Sequence, residues 1–203
     1  GVLTVGMECA YAPYNWMQMD DSNGAVPISN VQGSYANGYD IMIAKKICEE
    51  KGWELEVVSS AWDSLVPGVQ SGTLDACIAG QSMTADRMSQ VDMAGPYYYA
   101  TIVCVTTKDS PYADAQSIAD LAGGKCTAQS GTIWYDSCLP QIETDGDFQF
   151  ASEEERAENV NIGISVRKGN TELLDAMNDV LGGMTESDFN SLMEEAIAIQ
   201  PEV

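Results

Sequence analysis

Eight consecutive residues, Gly80-Gln81-Ser82-Met83-Thr84-Ala85-Asp86-Arg87, are placed to bind an anion. They follow a short apolar run, Leu74 to Ala79, and their second half reads as the start of a helix. Backbone N–H groups at a helix N-terminus have no partners inside the helix, and the helix dipole favours negative charge there. Arg87 falls about one turn further on and adds a planar, two-pronged donor whose geometry suits a carboxylate. The bland alternative for Arg87 is a surface ion pair with Asp86 or Asp92. Gly80 either leaves room for a ligand or makes a tight turn at a strand end.

Composition narrows the chemistry. The chain has 203 residues, 31 acidic against nine basic, a net charge of −22 and no histidine. Such acidity excludes a general nucleic-acid binder, which needs a basic surface for phosphates. Without histidine there is no Ser-His-Asp or Cys-His nucleophile pair, and the most frequent transition-metal ligand is missing. Six cysteines, at 9, 48, 77, 104, 126 and 138, form no CxxC pair, so no metal ribbon or redox motif is expected. Cys77 and Cys104 lie in apolar, strand-like runs and read as buried thiols; Cys126 reads similarly. Disulfides stay open, because spacing cannot set a pairing. No stretch is long and apolar enough to cross a membrane as a helix. The chain starts directly at a strand-like Val2-Leu3-Thr4-Val5-Gly6, with no leader ahead of it, as a mature or trimmed form would.

The elements that must position Gly80 to Arg87 alternate. Val2 to Gly6 reads as a strand, followed by a long loop to Asn37 that carries Tyr11-Ala12-Pro13-Tyr14. Residues 40–51 read as a helix, 53–58 as a strand, 62–71 as a helix, 74–79 as a strand and 84–90 as a helix. This implies an α/β unit on a largely parallel sheet. Gly95-Pro96 marks a crossover to a second unit. That unit is expected to hold a strand at 101–106, a helix near 115–122, a strand at 125–129 and a helix starting near Trp134. Phe148 to Phe150 suggests a short strand, and 152–158 is acidic. Residues 160–166 read as a strand, Gly169-Asn170-Thr171 as a helix cap, and Thr185-x-x-Asp188 as a capping box for the last helix.

In this order the motifs resemble the extracellular amino-acid-binding proteins of ABC importers, in the type II solute-binding family. The resemblance is carried by Tyr11-Ala12-Pro13-Tyr14, Gly38-Tyr39-Asp40-Ile41, Trp62-Asp63-Ser64-Leu65-Val66-Pro67, Gly72 to Ala76, Gly80 to Arg87, Pro96-Tyr97-Tyr98, Ser130-Gly131-Thr132 and Gly163 to Asn170. It covers residues 1–139 and 159–203. It implies an α/β two-lobe type II periplasmic-binding-protein fold. Lobe 1 would comprise 1–94 and 159–203, and lobe 2 would comprise 95–158. One departure stands out. The family's second lobe usually has a further strand–helix–strand unit after the helix near Trp134, ending in an acidic residue that pairs with the ligand ammonium. Here Leu139 passes almost directly to the return strands, so lobe 2 is expected to be short.

The resemblance also implies a site and a function. Arg87 would take the carboxylate of a free amino acid with help from the Ser82 N–H. Gly131 and Thr132 would close over it from the other lobe, although Thr132 is also an ordinary N-cap. The Gly80 carbonyl and the Ser82 hydroxyl would accept from the ammonium, with Gln81 in the same segment. Tyr11 and Trp62 would sandwich the ligand side chain, and Tyr14 would back them; for Trp62 the alternative is core. Glu8, after the first strand, would face a polar or cationic side chain, or else be a solvated carboxylate. The implied function is capture of an amino acid by hinge closure and delivery to the permease subunits in the membrane. The protein would be a monomer without cofactor or metal, either periplasmic or lipid-anchored at the cell surface. Two other readings remain: a dehydratase-like enzyme using Glu8 or Asp40 as base, and the sensor domain of a receptor.

Overall fold

Leu3, Val5 and Met7 are fully buried, and Gly6 between them is buried as well, so the first strand is covered on both faces. That is the signature of a central parallel strand. In the computed structural model, which describes residues 1–143 and 161–201, β1 (Val2–Met7) pairs in parallel with β6 (Glu54–Ser59) on one side and β7 (Ala76–Cys77) on the other. Two further strands, β8 (Asp92–Tyr99) and β9 (Asn161–Val166), complete a five-stranded sheet of order β6-β1-β7-β9-β8. β9 runs antiparallel to both neighbours.

The helices follow their local signals. α1 (Tyr39–Lys51) buries Ile41, Ile43, Ala44, Ile47 and Cys48, and ends at Gly52 in the left-handed conformation. α2 (Trp62–Ser71) buries Leu65 and Val69 and ends at Gly72 in the same way. α3 (Ala85–Gln90) is capped by the Thr84 side chain, which accepts from the Arg87 N–H at 3.1 Å. α4 (Leu139–Glu143) continues a π-type turn at Trp134–Cys138. α5 (Thr171–Gly182) is capped by Asn170. α6 (Glu186–Ile199) opens on the expected capping box of Thr185 and Asp188.

Several expectations are corrected. The stretch to Asn37 is not only loop: β2 (Ala10–Tyr11), β3 (Asn15–Gln18), β4 (Val26–Pro27) and β5 (Tyr35–Asn37) form a small antiparallel sheet of order β2-β3-β5-β4. The strand expected over 74–79 shrinks to Ala76–Cys77, because the chain turns toward β9 soon after. Gly95-Pro96 does not separate the units but lies inside β8. There Gly95, Pro96 and Tyr97 stand opposite Gly163 alone, between the pairs Ala94↔Ile164 and Tyr98↔Ile162. This bulge turns Tyr97 into the core, where it is completely buried.

The chain divides into two compact units, Gly1–Tyr99 with Asn161–Val203, and Ala100–Val160. The second differs most from expectation. Neither 101–106 nor 125–129 forms a strand, and the helix near 115–122 reduces to a 3₁₀ turn at Ile118–Leu121. A β-favouring run becomes a strand only when another strand satisfies its backbone groups. No ladder forms among the described residues 100–143. Accordingly Val103 and Val105 are 72% and 88% exposed, and Cys104, read as buried, is exposed. Cys9, Cys48, Cys77, Cys104 and Cys138 are free thiols. The Phe148–Phe150 strand and the acidic 152–158 stretch lie outside the described residues. Among the described residues no helix is long and apolar enough to cross a membrane.

Gly38 shows why α1 starts where it does. Its φ of 124° is a glycine conformation, and a Cβ there would clash with the Tyr14 carbonyl oxygen. Gly38→Ala is therefore expected to destabilise unit 1 by roughly 2 kcal/mol or more. Urea unfolding checks this: an unchanged midpoint would show that the backbone relaxes freely at this position.

Candidate functional site

The segment after β7 is fastened to β9. The Gln81 carbonyl accepts from the Gly163 N–H at 2.9 Å, and the Met83 N–H donates to the Asn161 carbonyl at 2.8 Å. The Gln81 side chain is buried, and its Oε1 accepts from the Ser165 hydroxyl at 2.6 Å. Gln81 thus points its amide into the sheet, while Ser82, half-buried, stays near the surface. Gly80 has φ +61°, and its missing Cβ position lies 3.0 Å from Tyr11 Cε1 and 3.3 Å from Tyr14 Cγ. Its lack of a side chain makes room for these rings. Tyr11 and Tyr14 stack with centroids 5.1 Å apart.

Arg87 is half-buried. Its Nη1 donates back to the Ser82 carbonyl, and its guanidinium carbon lies 5.5 Å from the centroid of the Trp62 ring. Such contacts fix both the plane and the position of a guanidinium. Burial pulls its pKa down from the usual range, with Cys77 and Asp86 acting the other way, and it remains a cation. Among the described residues the ion pairs are Lys46–Glu50 and Lys51–Asp179, so Arg87 is not paired with Asp86 or Asp92. Trp62 stands at the first turn of α2, half-exposed and outside the core. Glu8 follows β1, is half-buried, and its carbonyl accepts from the Ser59 hydroxyl at 3.4 Å. Unit 1 therefore gathers Arg87, Trp62 and Ser82 in direct contact, and Tyr11, Tyr14 and Gly80 in another cluster.

Beneath Gly80 lies a buried polar network that sequence reasoning missed. Asp40, fully buried at the start of α1, accepts from the Tyr97 hydroxyl at 2.6 Å and from Asn15 Nδ2 at 2.7 Å. Tyr97 Oη in turn accepts from the Gly80 N–H at 3.1 Å. Burial pushes the Asp40 pKa up to about 7, against the lowering effect of hydrogen bonds from Tyr97, Asn15 and the Gly80 backbone. No face of Asp40 reaches solvent, and its two oxygens are occupied by Tyr97 and Asn15. The Gly-aromatic-Asp motif was a signal for Asp40. Tyr97 depends on the bulge in β8, which periodicity cannot reveal.

In unit 2, Gly131 has φ +72° and Thr132 is buried. The Thr132 hydroxyl donates to the Gln129 carbonyl at 2.6 Å and its oxygen receives the Tyr135 N–H at 3.4 Å. This is an N-cap arrangement ahead of the Trp134 turn.

Comparison with known proteins agrees with this architecture. The sequence profile of the bacterial extracellular solute-binding proteins, family 3, matches residues 3–196. The arginine-binding extracellular protein ArtP of Bacillus subtilis is 33% identical over 107 residues, 53% of this chain and 41% of its own length. The L-cystine-binding protein TcyA of the same organism is 31% identical over 135 residues, 66% of this chain and 44% of its own. The chain thus matches less than half the length of these relatives. A solved ancestral arginine-binding protein bound to arginine superposes with a TM-score of 0.71 at 26% identity, covering 96% of this chain and 97% of that one.

The buried carboxylate has a consequence for stability. The unfolded chain ionises Asp40 near the ordinary value of 3.8, the folded chain only near 7. Between these values the folded state holds the extra proton, so stability falls as pH rises. From pH 6 to pH 8 the loss is expected to be about 1.4 kcal/mol, and Asp40→Asn should remove it. Urea midpoints across this range measure the slope; a wild-type curve that is flat or rising contradicts the assignment.

Proposed function

We propose a function for this chain from one premise: it belongs to the bacterial extracellular solute-binding proteins of family 3. The function is capture of a free amino acid outside the cytoplasmic membrane and its delivery to the permease of an ABC importer. The observation that carries this reading is Arg87. A half-buried guanidinium with one N–H on the Ser82 carbonyl, its face on Trp62 and no ion pair among the described residues keeps donors for an incoming carboxylate. Gly80, Ser82 and Tyr11 would frame the ammonium and side chain. Gln81 would act from behind, by fixing the segment to Ser165. In unit 2, Gly131 and Thr132 would supply backbone donors at a helix start.

The ligand is best read as cationic or polar. Glu8 supplies a carboxylate at the end of β1, and relatives are named for binding arginine and cystine. The field of a chain with net charge −22 draws in cations. The protein would act as a monomer, in a periplasm or held at the cell surface by a lipid anchor, with no cofactor. The matched share of its relatives makes delivery to a permease part of this proposal rather than of the family assignment.

Thermal-shift screening against the twenty amino acids, followed by calorimetry, tests the reading. A ligand that binds only the folded state must raise the melting temperature. L-Arginine is expected to do so, and Arg87→Ala should weaken its binding at least about 100-fold, as loss of a desolvated charge partner does. No shift with any amino acid would end the amino-acid reading. Full affinity in Arg87→Ala would place the carboxylate grip elsewhere.

A further inference from the structure

We infer that Asp40 is a positioning residue for the ligand site: through Tyr97 it holds the Gly80 N–H in place, and protonation of Asp40 loosens that hold and weakens ligand binding. The inference rests on the amino-acid-binding reading above and adds a pH response to that site.

The geometry leaves little choice about protons. A tyrosine hydroxyl has one proton to give and lone pairs with which to accept. Tyr97 gives its proton to Asp40 Oδ1 at 2.6 Å, which frees its oxygen to accept from the Gly80 N–H at 3.1 Å. This arrangement requires the carboxylate. A proton on Oδ1 would point at Tyr97 Oη, displace the tyrosine's own proton and compete with Gly80 for the oxygen. A proton on Oδ2 would oppose the Asn15 Nδ2–H that now sits 2.7 Å away. Asn15 can answer by turning its amide through half a turn and presenting Oδ1, a buried atom with no hydrogen-bond partner among the described residues. The pocket can therefore hold Asp40 in either state, but with different bonding.

The change reaches the site through contact. Gly80 lies against the Tyr11 and Tyr14 rings, at 3.0 and 3.3 Å from its missing Cβ. Tyr14 meets Tyr39 and Tyr98 edge-on, and Tyr39 stacks on Tyr97 with centroids 5.8 Å apart. A shift of the Tyr97 hydroxyl is transmitted to the turn at Gly80 and to the aromatic pair above it.

Several titratable and charged groups surround Asp40. Its neighbours are Cys9 after β1, Tyr11 and Tyr14 around β2, Tyr39 on α1, Cys77 on β7 and Tyr97 on β8, all with pKa values raised chiefly by burial and further by the Asp40 charge. All of them stay neutral near pH 7. The charged groups sharing this cluster are Glu8, which acts on Tyr11 and Cys77, and Arg87, which acts on Cys77. The chain has no histidine to respond in the same range. Among the described residues no lysine or arginine pairs with Asp40.

Calorimetry with L-arginine at pH 6, 7 and 8 tests the inference on the wild type, Asp40→Asn and Tyr97→Phe. The wild-type Kd is expected to rise about fivefold from pH 8 to pH 6, the reciprocal of a shift in Asp40 protonation on binding. Asp40→Asn should give a flat profile whatever its absolute affinity. Tyr97→Phe keeps the ring but cuts the relay, so its Kd should be about tenfold weaker at pH 8 and no longer vary with pH, as expected for one lost buried hydrogen bond. It also serves where Asp40→Asn does not fold. A wild-type Kd equal at pH 6 and pH 8, or either variant keeping the wild-type slope, overturns the inference while the binding function stands. Absence of arginine binding to the wild type, with no other amino acid binding in its place, overturns the amino-acid reading and this inference with it.

Discussion

Strand β9 is the interaction on which unit 1 depends. It lies between β7 and β8, antiparallel to both, and joins the parallel part of the sheet to its last strand. Its bonding does not stop at those ladders. Asn161 and Gly163 also hold the backbone of Met83 and Gln81, and Ser165 holds the Gln81 amide. The segment that leads to Arg87 is thus the edge of a sheet as much as the start of a helix. A helix of six residues such as α3 could not fix an arginine by its own stability. The sheet, the Thr84 cap and the Trp62 face do so together.

This arrangement resolves an electrostatic conflict. A chain with 31 acidic and nine basic residues repels anions at a distance. A zwitterion feels little net force from such a field, and its carboxylate is attracted only where a cation is close and poorly solvated. In the proposed reading Arg87 would provide that exception, because partial burial strengthens its local interactions and the Ser82 carbonyl restrains its motion. Selection between ligands would then rest on side-chain contacts, with the net field favouring cations.

The parts legible from sequence are those set by nearby residues. The cap at Asn170 and the Thr185–Asp188 box depend on chemistry within a few positions, and both occur as read; the glycine ends of α1 and α2 and the Thr84 cap are local in the same sense. The parts that were not legible depend on distant partners. β2 and β4 have two residues each, too few to show an alternation. Residues 101–106 have the composition of a strand but join no ladder among the described residues. In the site, Arg87 and Trp62 could be singled out by type and order. The direction of the Gln81 amide could not, because its neighbour Ser165 lies 84 positions away. The Tyr11 and Tyr14 rings against Gly80 were not legible either, although its φ of +61° fits the tight turn read there.

The exposed run Thr101-Ile102-Val103-Cys104-Val105-Thr106-Thr107 has a cost for colloidal behaviour. It is seven residues of β-branched and small apolar character with no charge and no proline, and both valines face solvent. That is the composition from which chains add to one another edge to edge. Mutual repulsion between copies carrying a charge of −22 opposes such contact at neutral pH. Near the isoelectric point of about 4.1 that repulsion disappears. Acidity in this chain is therefore a solubilising device that shields a strand-forming segment with no ladder among the described residues.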